Sequence, residues 1–353
     1  MSDRREFLKT LGGGAAGTWL LSSSLSALSQ PARKEIRIGG QRATIVDIHA
    51  HCIFPAVADF VPLGGDAANF GYPGLDLGPE RLVSMDQRGI DIQALSVNAY
   101  WWYQYDRGLA SRVVSTHDAG IASWSAAHPG RFVGLTSPAL QFPELAAEQL
   151  ERAVTELGHR GASIGGHVLG EPPTSEKYDP FWAKAVELDV PVFMHPNNSL
   201  NIVRQGGLAG RGNLDNIVGN PLETTVFLTH MIFDGTLDRF PDLKLCAAHG
   251  GGYLPSYLGR TEVACHIRNN ANCANKREPS DYLRDQIYVD TMVFSEEGLR
   301  HLVAETGVSQ VVYGSDQPYN WPDTIDIVAD SPSLSNRDKL AILGGNLIDL
   351  LRI

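Results

Sequence analysis

Positive charge is scarce in this 353-residue chain, where 29 Lys and Arg stand against 40 Asp and Glu, a formal net charge of −11. That balance leaves no broad cationic surface for a nucleic-acid backbone or an anionic membrane, so generic polyanion binding is disfavoured. Cysteine is sparse too. The four present, Cys52, Cys246, Cys265 and Cys273, lack the CxxC spacing of a zinc knot or redox dithiol. They are too few for a disulfide framework in a chain this long and are expected to be packing residues. From Ile53 to Glu80 there is no Lys, Arg or His. No internal repeat, low-complexity tract or evident interdomain linker breaks the body, and with 43% hydrophobic and 20% charged residues one large core is expected.

The amino terminus reads as an address. Arg4-Arg5 precedes Phe7-Leu8, and Leu11 to Leu28 is uncharged, small and rich in Gly and Ser. This is the pattern of a twin-arginine (Tat) export signal over residues 1–29, ahead of a domain over residues 30–353. A transmembrane anchor is the rival reading, but Gly12 to Gly14 and Ser22 to Ser24 make the stretch only mildly hydrophobic for its length. A periplasmic or otherwise exported protein without a stable membrane anchor is therefore expected. Because twin-arginine cargo crosses already folded, a metal or cofactor is a reasonable suspicion.

The body alternates short β-rich runs with helical stretches. Strands are expected at Thr44–His49, Ile90–Val97, Phe132–Pro138, Ala162–Val168, Pro191–His195, Lys244–His249, Ile287–Val293 and Val311–Ser315. Between them, Glu144–Leu157 keeps a helical apolar period, and Phe181–Leu188 follows the helix-opening pair Asp179-Pro180. Eight β-then-α units point to an α/β fold of the (β/α)8 TIM-barrel type. An open doubly wound sheet is the alternative, although the first strand is not followed by the GxGxxG turn of dinucleotide folds. Phe54 to Glu80 reads as an excursion able to cover the barrel mouth.

Polar residues gather where the strands end. Strand one closes Asp47-Ile48-His49-Ala50-His51, and side chains two apart on a strand share a face. His195 closes the fifth strand, His249 the sixth and Asp316 the eighth, all at the rim where barrel enzymes build their sites. Three imidazoles and a carboxylate suit Zn²⁺ or a similar divalent ion. Taken singly, each is as well explained as a buried histidine satisfied by a carbonyl or an aspartate capping a turn; together on the strand ends of one barrel, one metal bound by His49, His51, His195 and Asp316 is the stronger reading. His249, leading Gly250-Gly251-Gly252, suits a nearby acid/base. At the end of strand four, Gly165-Gly166-His167-Val168 supplies no bridging carboxylate or lysine, which favours one metal over two and leaves His167 a candidate substrate contact. The run Tyr100-Trp101-Trp102-Tyr103-Gln104-Tyr105 offers Trp101 and Trp102 as faces for a planar ring, or else packs the mouth or a subunit contact.

Ordered blocks along the body carry a resemblance: Asp47-Ile48-His49-Ala50-His51, Met85-Asp86-Gln87-Arg88-Gly89-Ile90, Phe193-Met194-His195-Pro196, Ala248-His249-Gly250-Gly251-Gly252 and Tyr313-Gly314-Ser315-Asp316. The chain resembles the amidohydrolase superfamily, in its amidohydrolase-related branch typified by 2-amino-3-carboxymuconate-6-semialdehyde decarboxylase. The resemblance implies zinc on His49, His51, His195 and Asp316, with His249 and Asp316 in catalysis. It also implies a homodimer in which Arg260 reaches a substrate carboxylate in the neighbouring subunit; locally Arg260 is equally a solvated helix residue. Two departures bear on the substrate. The arginine that such decarboxylases place in the excursion after strand one has no counterpart here, and Asn197-Asn198 stands where the muconate enzymes carry tryptophan, making Asn197 a further candidate contact.

The implied activity is nonoxidative decarboxylation of an aromatic or unsaturated cyclic carboxylate. Hydrolysis of an amide, ester or lactone on the same donor set is the alternative, and a noncatalytic metal- or ligand-binding barrel is a third.

Overall fold

The computed structural model describes residues 33–61, 72–97, 101–196, 199, 202–268 and 270–353. The export segment, Asn197 and the middle of the excursion lie outside the described residues.

After a small hairpin pairing Arg37–Ile38 with Gln41–Arg42, eight parallel strands follow at the expected places. They are β1 (Val46–His51), β2 (Ile92–Ser96), β3 (Phe132–Gly134), β4 (Ala162–Ile164), β5 (Val192–Met194), β6 (Leu245–Ala247), β7 (Ile287–Asp290) and β8 (Val311–Val312). They pair in sequence order as a three-stranded and a five-stranded sheet. Parallel bridges Thr136↔Ala162 and Ala50↔Gln317 join the two, and Ile48 N donates to Tyr313 O at 3.1 Å across the closing seam. The result is a closed parallel barrel, not an open sheet.

Most strands are shorter at their carboxyl ends than the β-rich runs, because the last residues of each run leave the ladder and turn their polar groups to one another. The principal helices are α1 (Pro79–Arg88), α2 (Arg107–Ala127), α3 (Pro143–Thr155), α4 (Asp179–Glu187), α5 (Asn220–Phe233), α6 (Leu258–Ile267), α7 (Pro279–Asp285), α8 (Glu296–Thr306) and α9 (Asn346–Leu351). Proline opens α1, α3, α4, α5 and α7 within the first two positions, where its missing N–H costs nothing. Gly89 closes α1 at φ 83°, a left-handed cap.

The strands are buried on both sides, as a parallel sheet covered by helices requires. On β6 the alternation is explicit: Leu245 and Ala247 pack with the helices, whereas Cys246 joins Ala94, Leu135, Phe193 and Val312 around Leu347, Leu350 and Leu351 of α9, which plugs the interior. The packing role expected of the cysteines holds for Cys52 and Cys246, which are free and buried. It fails for the other pair: Cys265, in α6, is disulfide-bonded to Cys273. They stand only eight positions apart in the chain, so this is a local brace at the end of α6 rather than part of a framework. Among the described residues, no helix is long and apolar enough to cross a membrane.

Candidate functional site

At the carboxyl end of the barrel, His49, His51, His195 and Asp316 each offer a donor atom, and these atoms all lie within 4.8 Å of one another. The imidazole centroids stand 5.1 Å (His49–His51), 5.0 Å (His49–His195) and 4.7 Å (His51–His195) apart. Asp316 Oδ1 sits 2.6 Å from His51 Nε2 and 3.1 Å from His49 Nε2. All four residues are buried.

Neighbouring groups fix the orientation of each ring. His49 Nδ1 donates to Asp290 Oδ2 at 2.7 Å and His195 Nδ1 to the Pro196 carbonyl at 2.9 Å, which turns each Nε2 lone pair inward. Asp47 ties β1 to the Asp316 turn: its Oδ1 accepts from the backbone N–H of His49 and of Ser315, both at 3.0 Å, and its Oδ2 accepts from Ser315 Oγ at 2.6 Å and Gln93 Nε2 at 2.9 Å. Arg81, buried beneath β1, donates to the carbonyls of His51 at 2.6 Å and Gly74 at 2.8 Å. His249 and Asp316 both take left-handed backbone at φ 57°, a conformation costly for residues with a side chain and most common at functional sites.

The electrostatics fit a cation. Burial opposes charge on His49, yet Asp316 and Asp290 together raise its pKa to about 10. Burial lowers His51 to about 4 despite Asp316, and burial with the neighbouring imidazoles holds His195 well below its ordinary value. Burial pushes the Asp316 carboxyl up, but His49 and His51 outweigh it and hold the group well below the usual carboxylate range. A proton on His49 is thus the positive charge this cluster recruits when it has no other. His51 Nδ1 is buried without a hydrogen-bond partner, and the donor set of three imidazoles and a carboxylate is one a divalent ion satisfies.

His249 stands beside this group, its ring 5.3 Å from that of His49 and 5.4 Å from that of His195. Burial and the charge on His49 lower its pKa, which favours the neutral imidazole, a base that accepts a proton before it can pass one on. Asp290 accepts from the backbone N–H of His249 at 3.1 Å and of Gly250 at 2.8 Å. The glycines after His249 also serve packing: Gly250 takes φ 63°, and a Cβ there would lie 2.7 Å from Val293 Cγ1.

The structure brings His49, His51, His195, His249 and Asp316 together; of the other candidates, Asn197 lies outside the described residues. Trp101 and Trp102 are 1% and 0% exposed; Trp101 stacks on Tyr103 and Trp102 on His117. Neither ring is open to a ligand, so the ring platform expected of them is corrected to core packing, their size being spent on filling the space outside β2. His167 is buried; its Nδ1 accepts from the Gly170 N–H at 3.1 Å and its Nε2 faces Glu223 Oε2 at 3.9 Å. Arg260 is exposed on α6.

Sequence reasoning missed Asp290, Asp47, Arg81 and Glu223. Asp290 had a signal, since it is the one charged residue within the β-rich run Ile287–Val293. Glu223 had none: α5 carries it back to Gly166, whose N–H it accepts at 3.1 Å, supplying near strand four the carboxylate that the strand's own sequence lacks.

Comparison with known proteins agrees with this geometry. Residues 46–353 match the family described as Amidohydrolase. The chain is 31% identical over 279 residues to 2-amino-3-carboxymuconate-6-semialdehyde decarboxylase of Dictyostelium discoideum, covering 77% of this chain and 75% of that one. It is 30% identical over 294 residues to gamma-resorcylate decarboxylase of Rhodococcus jostii, covering 79% and 88%. Among solved structures, a dihydroxybenzoic acid decarboxylase from Polaromonas, with bound manganese and the inhibitor 2-nitroresorcinol, superposes with a TM-score of 0.74 at 28% identity, over 88% of this chain and 97% of that one.

Proposed function

The chain belongs to the amidohydrolase family, and from that premise we propose that it is a metal-dependent nonoxidative decarboxylase of an aromatic or unsaturated cyclic carboxylate. The observation that carries the proposal is the four-donor group at the strand ends with a neutral imidazole, His249, beside it. The relatives named above, all decarboxylases, support the choice of reaction.

His49, His51, His195 and Asp316 would hold one divalent ion, and zinc is the choice their donor types suit. A bound dication supplies fixed positive charge that binds substrate oxygens and stabilises negative charge developing on the ring. The residues of the chain do the rest. His249 would first take up a proton from solvent or a substrate hydroxyl and then, as imidazolium, deliver it to the ring carbon bearing the carboxylate. The bond from that carbon to the carboxylate carbon then breaks, CO₂ leaves, and the bonding electron pair restores the ring π-system. Asp290 is a positioning residue, fixing His49 through its side chain and the His249 turn through two backbone bonds.

The export reading is kept as part of the proposal. Arg4-Arg5 and the uncharged stretch to Leu28 support a signal over residues 1–29, and the Cys265–Cys273 disulfide suits an oxidising compartment such as the periplasm. The homodimer is likewise proposed: α6 exposes Val263 (45%) and Ile267 (66%) beside Arg260, an apolar face suited to a second copy.

The experiment is product analysis. Protein loaded with zinc or manganese is incubated with 2,6-dihydroxybenzoate and, separately, with aryl lactones. Release of CO₂ and resorcinol supports the proposal; acyl cleavage without CO₂ release would assign the same donors to hydrolysis instead.

A further inference from the structure

Asp316 offers its carboxylate from a turn that its own backbone disfavours. At φ 57° the residue stands in left-handed territory without glycine's freedom, so neighbouring bonds must hold it there. Gln317, 3% exposed, supplies four of them. Its backbone carbonyl accepts from the N–H of His51 at 2.6 Å, which sets the turn alongside β1, and its own N–H donates to Ser315 Oγ at 3.2 Å. Its side chain reaches two further elements: Oε1 accepts from Gln93 Nε2 of β2 at 2.6 Å, and Nε2 donates to Ser84 Oγ of α1 at 2.8 Å. Gln93, wholly buried, also donates to Asp47 Oδ2 at 2.9 Å and accepts from Arg81 at 3.4 Å.

The polarity of this chain of amides is fixed from one end. The Arg81 guanidinium can only donate, so Gln93 turns Oε1 to it and Nε2 to Asp47 and Gln317; Gln317 must then present Oε1 to Gln93 and Nε2 to Ser84. Hydrocarbon side chains of the same volume would fill the space without stripping water from polar groups. What the two amides add is direction. We propose that Gln317 is a positioning residue: through the clasp Ser84–Gln317–Gln93 it holds Asp316 in the left-handed conformation that aims the carboxylate at the three imidazoles, and so sets the affinity for the metal. The proposal rests on the reading of His49, His51, His195 and Asp316 as the ligands. Because one end of the clasp is anchored in α1, away from the strand ends, Ser84 tunes metal binding without being a ligand.

The test titrates cobalt(II) into stripped protein, follows its visible absorption, and compares thermal melts of the stripped and loaded forms. Gln317→Met keeps the length of the side chain and removes both amide bonds. The expected result is a cobalt Kd raised about 10–100-fold, the scale usual for contacts that orient metal ligands, and an altered spectrum at saturation. The stripped form should melt close to the unaltered protein, so that the loss falls on the stabilisation that cobalt brings. Ser84→Ala removes only the outer end of the clasp. Ser84 is half-buried and borders a cavity of about 360 Å³ that admits water in place of the hydroxyl. Its weakening should therefore be smaller and in the same direction, and Ser84→Thr, which returns the hydroxyl, should restore the affinity. Unchanged cobalt affinity and spectrum in Gln317→Met, or stripped and loaded melts lowered by the same amount, would overturn the proposal. Should Gln317→Met fail to fold, a Ser84→Ala protein that binds cobalt as tightly as the unaltered one overturns it alone. An unaltered protein that takes up no cobalt would instead overturn the metal reading itself, and this proposal with it.

Discussion

One oxygen of Asp290 lies 2.7 Å from Nδ1 of His49, and the same oxygen accepts the backbone N–H of His249 at 3.1 Å. A single buried carboxylate therefore sets both the ring that would hold the metal and the turn that carries the proposed acid/base. Removing its charge should disturb both. Asp290→Asn is expected to fold, to weaken metal affinity by about 10–100-fold, and to lower kcat beyond what restored metal saturation recovers. Metal titration with a chromogenic chelator, followed by kinetics at saturating metal, checks this; full recovery at saturating metal would confine Asp290 to the metal.

The metal-free protein should show a two-sided pH dependence of stability. His51 and His195 are held below the ordinary histidine value in the fold, so as pH falls through about 6.5 the unfolded chain takes up protons that the fold refuses, and stability drops. His49 runs the other way. Its pKa is raised to about 10, so its contribution is complete below about 6.5 and is lost as pH rises toward 10. A bound metal replaces that proton, so loading should flatten the alkaline limb between about pH 6.5 and 9. Thermal melts across pH with and without metal test this, and superimposable alkaline limbs would contradict it.

Much of this arrangement was legible in the sequence, and the exceptions have a common physical reason. Eight strands and the donors His49, His51, His195 and Asp316 could be read because the donors lie at the ends of three β-rich runs, His49 and His51 sharing the first, where local pattern and site coincide. Asp290 escaped because the β-rich run continues past it through Thr291-Met292-Val293 and hid the strand end. Glu223 and Arg81 escaped because they reach the strand ends from helices, a contact set by tertiary packing that no local period encodes. The aromatic run left a ring platform and packing both open, since composition cannot say which side of a barrel strand its loop will pack; Trp101 and Trp102 are buried and follow the packing alternative.

Trp102 should behave as a core residue. Its ring is fully buried and stacks on His117 with centroids 5.4 Å apart. Trp102→Ala is expected to cost about 3–5 kcal/mol of stability, whereas Trp102→Phe should keep KM for a ring substrate within twofold. Chemical denaturation and steady-state kinetics give the two values; a large rise in KM for the Phe variant would return Trp102 to the substrate site.

The local disulfide should report the compartment. Protein exported through the twin-arginine signal is expected to show two labelled thiols on denaturation, from Cys52 and Cys246, and four after reduction. An Arg4→Lys, Arg5→Lys double variant, held in the cytoplasm, should show four without reductant. Opening the bond by Cys273→Ser should cost about 2–3 kcal/mol, the entropy of a short closed loop. Alkylation followed by mass spectrometry reads the thiols, and equal labelling of the two forms would contradict export.

The central claim is that four residues at the strand ends hold one divalent ion on which CO₂ release depends. The most direct measurement titrates metal into stripped protein while following CO₂ formation from 2,6-dihydroxybenzoate. The account predicts that activity rises linearly to one equivalent per chain and that His49→Ala, folded by circular dichroism, neither binds that equivalent nor releases CO₂. Undiminished CO₂ release by the stripped protein or by His49→Ala would contradict it.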